Sequence, residues 1–310
     1  MKIVIAGASG FIGKMLAKNL LDSEHSVVVL TRNPQRTTTS SHPLLQIVHW
    51  DGRSAGSWHR HILDADAVVN LAGESLGTNR WTKSRKQALI SSRVDPPRAI
   101  VYAIKTAAPR PRVLVNASAV GYYGPVEAGD VTEDHPASDD FASSLCVEWE
   151  QAALEAKAFA VRVVLLRSGI VLDPRGGALQ KMILPFRLFA GGPLGSGNQW
   201  LPWIHREDEI RAICFSLENE PVSGPVNLAG PESATMRDLS AALGKVLRRP
   251  SAIRVPAFVL RTLLGEMADI VLTGQRVIPQ KLLPAGFKFR FPALKDALED
   301  LLVKKSTVGR

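Results

Sequence analysis

Short apolar runs alternate with amphipathic stretches along this chain, and the alternation starts at the second residue. Ile3, Val4 and Ile5 follow one another with no polar residue between them, the pattern of a strand buried on both faces. Ile12, Leu16 and Leu20 then recur at four-residue steps, as on a helix with one buried face. Between them lies Gly7-Ala8-Ser9-Gly10-Phe11-Ile12-Gly13, with its glycines at GxxGxxG spacing. The pattern predicts a strand, a tight turn and a helix start. Such a turn aims unpaired backbone N–H groups and the positive end of a helix at one spot, where a pyrophosphate can sit. Glycine lets the phosphates approach the backbone without a Cβ in the way. Glycines in an ordinary strand-to-helix turn serve packing alone. Here the place of the motif, after a strand and before a helix, favours a dinucleotide site.

The alternation continues. Strands are predicted at Ser26–Leu30, Leu44–Trp50, Ala67–Glu74, Arg112–Ser118, Val161–Leu166 and Val226–Ala229. A helical pattern ends near Arg93, and Asp95-Pro96-Pro97 is expected to break it, because an interior proline costs about 3 kcal/mol. Helical patterns resume over 99–107, 145–158, 177–189 and 208–216, and from Glu232 onward they alternate with prolines. The Thr- and Ser-rich stretch 36–43 reads as a mobile loop. The fold class that follows is α/β: an NAD(P)-binding, Rossmann-like, doubly wound parallel sheet with a smaller C-terminal substrate lobe. The expected division gives 1–172 and about 203–230 to the nucleotide-binding domain. It gives about 173–202 and 231–310 to the substrate side.

Composition narrows the class. At 310 residues and 45% hydrophobic content the chain can bury a large core. No apolar run reaches the roughly 18 residues needed to span a bilayer, and the first run is too short for a signal peptide. Cys146 and Cys214 stand far apart, outside metal-ligand spacing. They read as free thiols in a reducing, cytoplasmic setting, and no metal site is expected. The net charge of +9 and a pI near 9.8 suit an anionic ligand. The basic residues are scattered, without the interleaved aromatics of a nucleic-acid surface, so no nucleic-acid motif is present. The expected partner is a small-molecule substrate, and oligomerisation is left open.

The strand ends supply the candidate chemistry. Thr31 and Arg32 follow the second strand, where a Rossmann unit meets the adenosine ribose. An acidic residue there would favour NAD; the guanidinium of Arg32 suits a 2′-phosphate and points to NADP (NADPH) over NAD. Arg32 as a plain surface cation is the other reading. Asp51 ends the third strand, either as an acceptor for the adenine amino group or as a turn residue. Leu71, Ala72 and Gly73 leave the fourth strand, with small residues allowing close approach to a ribose or phosphate. Ser118 ends the fifth strand, followed by Gly121-Tyr122-Tyr123-Gly124. Trp203 and His205 follow a glycine-rich loop at 191–197 and, with Tyr122 and Tyr123, are the candidates for the substrate pocket.

These motifs together resemble the extended short-chain dehydrogenase/reductases. Arg80-Trp81, Ser118, Gly121-Tyr122-Tyr123-Gly124, Pro185-Phe186, Gly191-Gly192-Pro193, Gly195-Ser196-Gly197 and Trp203-Ile204-His205 resemble a narrower group, the epimerase family proteins of family 39U. Gln275-Arg276-Val277-Ile278-Pro279 and Gly286-Phe287-Lys288-Phe289 are similar to that group's C-terminal domain of unknown function. The resemblance spans nearly the whole chain and implies NADP binding. It implies that Gly7, Gly10, Phe11, Ile12 and Gly13, with Ala8 and Ser9 in the same turn, hold the pyrophosphate. Thr31 and Arg32 then meet the adenosine end, and Leu71 and Ala72 line the approach to the nicotinamide. Arg93 and Leu172 are implied as further cofactor contacts, although the Asp-Pro-Pro at 95–97 departs from the family pattern.

The usual catalytic pair is missing. In the superfamily a Tyr-x-x-x-Lys pair moves the proton, with the cation favouring the phenolate. Aligned on Glu150, the pair falls on Ala142 and Cys146, and the last tyrosine in the chain is Tyr123. Ser118 could polarise a carbonyl, contact the cofactor or merely satisfy backbone. Tyr122 or Tyr123 could donate a proton or shape the pocket, and His205 could act as an acid or be structural. Two functions fit: an NADP-dependent oxidoreductase or epimerase with a replaced proton donor, and an NADP(H)-binding sensor or scaffold without turnover.

Overall fold

The structure, a computed structural model, describes residues 1–36 and 42–303. Seven strands form one parallel sheet: β1 (Lys2–Ala6), β2 (Ser26–Thr31), β3 (Leu45–His49), β4 (Ala67–Asn70), β5 (Val113–Ala119), β6 (Arg162–Ser168) and β7 (Gly224–Leu228). Their order is β7-β6-β5-β4-β1-β2-β3. The direction of winding therefore reverses beside β1, and the carboxyl end of β1 is the switch point where such sheets bind ligands.

The run Ile3–Ala6 shows why these strands read as apolar without alternation. Ile3 and Ile5 enter one core, beneath helices α1 (Phe11–Asp22) and α5 (Arg206–Glu218). Val4 and Ala6 enter the opposite core, beneath α2 (Lys83–Thr106). Both faces of the strand are covered, so both phases of its side-chain alternation are apolar. Leu282 and Phe287, far along the chain, return to close the first of these cores.

A third core joins α4 (Gly177–Arg187), α6 (Met236–Leu247) and α8 (Leu294–Leu302) around Trp203, Phe186 and Leu298. Between α6 and α8 lies the short helix α7 (Ala257–Leu264). The strand pair Ile170–Leu172 and Trp203–His205 ties this core to the end of β6.

Three expectations change. The helix expected to break at Asp95-Pro96-Pro97 runs unbroken from Lys83 to Thr106. The prolines remove the N–H groups that would bond the carbonyls of Ser92 and Arg93. Beyond the prolines the fully buried Ile100 and Ile104 hold the helix to the sheet. The fourth strand stops at Asn70 rather than Glu74. Asn70 donates to Asn116 Oδ1 at 2.7 Å and accepts from the Ala72 amide at 3.2 Å, which turns the chain away from the sheet. Helix α3 (Phe141–Leu154) starts four residues before the expected 145, because Asp140 caps it by accepting from the Ser143 amide. The loop expected over 36–43 falls largely on 37–41, which lie outside the described residues. Among the described residues no helix is long and apolar enough to cross a membrane, and both cysteines are free thiols.

Candidate functional site

The glycine turn is built by its own packing. Gly7 has φ +81°, and a Cβ on it would lie 2.6 Å from the carbonyl carbon of Leu71. A Cβ on Gly13 would lie 2.4 Å from the Gly7 oxygen, so the helix sits against the turn with no room for a methyl. Gly10 differs. It caps α1 in an extended conformation, is exposed, and a Cβ there would meet only the Gly7 oxygen, at 3.1 Å. The first turn of α1 carries no acidic side chain, and its leading N–H groups have no partner within the helix. The arrangement leaves a positive helix end open to an anion. Ala8 is buried, and the Phe11 ring packs beneath Gly176, so Phe11 and Ile12 can offer only backbone amides here.

A cleft of about 540 Å³ opens at this turn, along the carboxyl ends of β1, β2, β3 and β4. Of the sequence candidates, Gly7, Ser9, Gly10, Thr31, Arg32, Asp51, Leu71, Ala72 and Gly73 line it. Arg32 and Arg53 stand at the β2 and β3 end, and both are exposed. Asp51 accepts from the amides of Arg53 at 3.0 Å and Ser54 at 2.8 Å. The Ser54 side chain, followed by these amides, holds the Asp51 carboxyl down at about 2. Asp51 is therefore both a turn residue and an ionised acceptor on the cleft wall.

Sequence reasoning missed Arg53, a second cation just past a strand end. It also missed Ser92 and Pro96 of α2, which carry no local signal; Pro96 reaches the cleft because the helix runs on past Arg93.

Two implied cofactor contacts do not face this cleft. Arg93 is buried behind its wall, donates to the Glu74 carbonyl at 2.7 Å and lies over the Trp149 ring. It supports the Gly73–Glu74 backbone from beneath. Leu172 is fully buried in the third core, because its strand pairs with Trp203–His205.

A second cavity, of about 430 Å³, lies beyond the ends of β5 and β6. Trp81, Phe141 and Trp200 give it aromatic walls; Gly121, Ala142 and Ile270 also face it. Trp203, His205 and Tyr123 were expected in such a pocket, and none of them lines it. Trp203 is buried and donates its indole N–H to the Glu232 carbonyl at 3.0 Å. His205 is fully buried, caps α5 by accepting from the Glu207 amide, and stacks 3.8 Å from the Phe291 ring. Burial pushes its pKa down to about 4, against the pull of Asp300. The Tyr123 hydroxyl donates to Asn227 Oδ1 and accepts from Arg167, and burial pushes it up to about 12. All three are packed into the interior away from this cavity, and His205 and Tyr123 thereby lose access to a substrate there as acids.

The pattern of the NAD dependent epimerase/dehydratase family matches residues 3–229. The chain belongs to this family. A domain of unknown function, DUF1731, matches residues 255–301 of this epimerase-family chain. The chain is 40% identical over 308 residues to the chloroplastic epimerase family protein SDR39U1 homolog of Arabidopsis thaliana, covering 97% of this chain and 87% of that one. Its fold matches the crystal structure of human epimerase family protein SDR39U1 (isoform 2) with NADPH. There the TM-score is 0.86 and the identity 34%, over 97% of this chain and 99% of that one. The UDP-glucuronic acid 4-epimerase of Bacillus cereus, solved with UDP-glucuronic acid and NAD, shares the fold. Its TM-score is 0.79 and its identity 22%, over 97% and 98% of the two chains.

In this epimerase-family chain the expected catalytic position is locked into a buried ionic cluster. The Ser118 hydroxyl donates to Glu150 Oε1 at 2.6 Å. The Glu150 carboxylate takes a two-point contact from Arg167, both bonds at 2.9 Å. Tyr122 lies flat against that guanidinium, 3.4 Å from ring centre to Cζ. Neither Ser118 nor Tyr122 lines the cleft or the pocket. Ser118 is buried and its proton is already used, so the structure gives it a fixed partner in place of a carbonyl. Ala142, at the position where the superfamily tyrosine is expected, faces the pocket with a methyl. Cys146, at the lysine position, is buried with its thiol pushed up to about 12 by burial.

Proposed function

We propose that this protein binds NADP(H) in the 540 Å³ cleft and is an oxidoreductase or epimerase. Its substrate would be a small carbonyl or hydroxyl compound held in the second pocket, of about 430 Å³, on the side assigned to about 173–202 and 231–310 in the expected division. The observation that carries the reading is one cleft combining an acid-free helix start at Gly10 with Arg32 and Arg53 at the adenosine end. The open side of Gly10 and the leading amides of α1 would take the pyrophosphate. Arg32 and Arg53 would take a 2′-phosphate, which NAD lacks. Asp51 would accept from the adenine amino group. Bound there, the cofactor would supply or accept a hydride. The human relative crystallised with NADPH supports the cofactor half of this reading.

A catalytically silent NADP(H) sensor or scaffold is the second reading. The engaged Ser118 and the methyl of Ala142 in place of an acid favour it. Calorimetry with NADPH and NADH tests the shared half: NADPH is expected to bind at least tenfold tighter. Arg32→Ala is expected to weaken NADPH roughly ten- to a hundredfold, the loss of a charge-assisted hydrogen bond of about 1.5–3 kcal/mol, and to leave NADH unchanged. Equal NADPH affinity before and after would remove Arg32 from the site. NADPH oxidation with a panel of carbonyl compounds separates the two readings.

A further inference from the structure

The second pocket is built for an uncharged guest. Among the described residues twenty line it, and none of these is Lys, Arg or His. Its polar groups are turned to work within the protein. Gln199 donates to the carbonyls of Leu194 and Val271, at 3.0 and 2.8 Å. Gln275 donates to the Val120 carbonyl at 2.6 Å, Thr273 donates to the Asp269 carbonyl, and Asp140 caps α3. Besides the carboxylates of Glu266 and Asp269, each paired with a cation at the rim, the wall offers the aromatic surface of Trp81, Phe141 and Trp200 with aliphatic groups between.

The cations around the rim are committed as well. Lys86 pairs with Glu266 at 2.7 Å, Arg261 with Asp269 at 3.6 Å and Arg276 with Asp130 at 3.1 Å. Arg80 donates to the carbonyls of Thr262 and Leu263. A diphosphate enclosed here would lose its water and gain no guanidinium or ammonium from the described lining in return, and a buried charge without a paired one is costly. A volume of about 430 Å³ is within the roughly 300–1,000 Å³ of small-molecule sites.

We propose that this pocket takes a neutral, flat, largely apolar ring compound bearing a carbonyl or hydroxyl, and rejects nucleoside diphosphates and their sugars. The proposal deepens the oxidoreductase reading above by naming its substrate class. It sets this chain apart from the UDP-glucuronic acid 4-epimerase that shares its fold.

The test is calorimetry on the folded full-length chain, first with NADPH and then, on the NADPH-saturated protein, with 1-acetonaphthone and with UDP-glucose. The ketone is expected to bind one to one and at least tenfold tighter than UDP-glucose. Ala142→Trp fills the pocket, and should abolish ketone binding while NADPH affinity stays within twofold. Should that variant not fold, Ile270→Asp at the half-open rim puts a charge against the guest and should weaken the ketone at least threefold. UDP-glucose binding as tightly as the ketone, no ketone binding at all, or ketone binding indifferent to the folded pocket variant each overturn the proposal. Failure of NADPH to bind sinks the cofactor reading alone. The ketone and UDP-glucose are then compared on the free protein and its variants, with the same outcomes deciding.

Discussion

Glu150 is the residue on which the buried polar interior of this chain converges. Its two oxygens hold Arg167, one of them also accepts a hydrogen bond from the Ser118 hydroxyl, and Arg167 in turn reaches Tyr123 and the Glu133 carbonyl. Both side chains of the ion pair are almost wholly shielded from water. Removing one partner leaves the other charge buried and unpaired. Arg167→Met should therefore lower stability by about 3–5 kcal/mol, read as a fall in the midpoint of denaturant unfolding. Ser118→Ala removes a single donor from the same cluster and does not border the cleft. NADPH affinity in that variant should stay within twofold; a larger loss by calorimetry would bring Ser118 back to the cofactor.

At the scale of elements, the strand-turn-helix unit at the N-terminus divides labour among its glycines. Gly7 and Gly13 are required by contact with neighbouring backbone, whereas Gly10 faces open cleft. Gly10→Ala should accordingly cost little in thermal stability, since only the Gly7 oxygen must give by a few tenths of an ångström. It should weaken NADPH about tenfold, because its methyl stands where the pyrophosphate would lie. A Gly10→Ala protein that binds NADPH as the parent does would place the phosphates elsewhere. Helix α2 makes a related point. Its two prolines weaken it locally, yet the helix runs on past Arg93 and brings Pro96 to the cleft beside Ser92.

Across the whole molecule, two buried groups at the start of α5 pull stability in opposite directions with pH. Burial pushes the Glu209 carboxyl up to about 7 from 4.5, although Ser168 donates to it. Its contribution is full below pH 4.5 and is lost as pH rises through 7. Burial pushes His205 down to about 4 from 6.5. Its contribution is full above pH 6.5 and is lost as pH falls through 4. Between pH 4.5 and 6.5 the two slopes oppose each other. Glu209→Gln should unmask the histidine, so that the variant gains more stability than the parent on going from pH 4.5 to 6.5. Urea midpoints at the two values check this; identical pH dependence in variant and parent would show that Glu209 does not carry the opposing slope.

What the chain determines locally could be read from it directly. The unbroken apolar run Ile3–Ile5 fixed a strand covered on both faces, and the glycine spacing from Gly7 to Gly13 fixed the turn. The absence of any tyrosine after Tyr123 removed the usual catalytic pair under every alignment. Each of these depends on backbone geometry or residue identity within one short stretch. Tertiary structure decided the rest. Arg93, Leu172, Tyr123, Trp203 and His205 carry the right chemistry for a site, and each is instead packed into the interior by elements remote in sequence. The second pocket is walled by residues from Trp81 to Gln275, and Gln275 finds its partner Val120 across 155 positions. Whether a polar side chain serves a ligand or a neighbouring carbonyl is settled by which long-range contact reaches it first, and no periodicity in the chain encodes that choice.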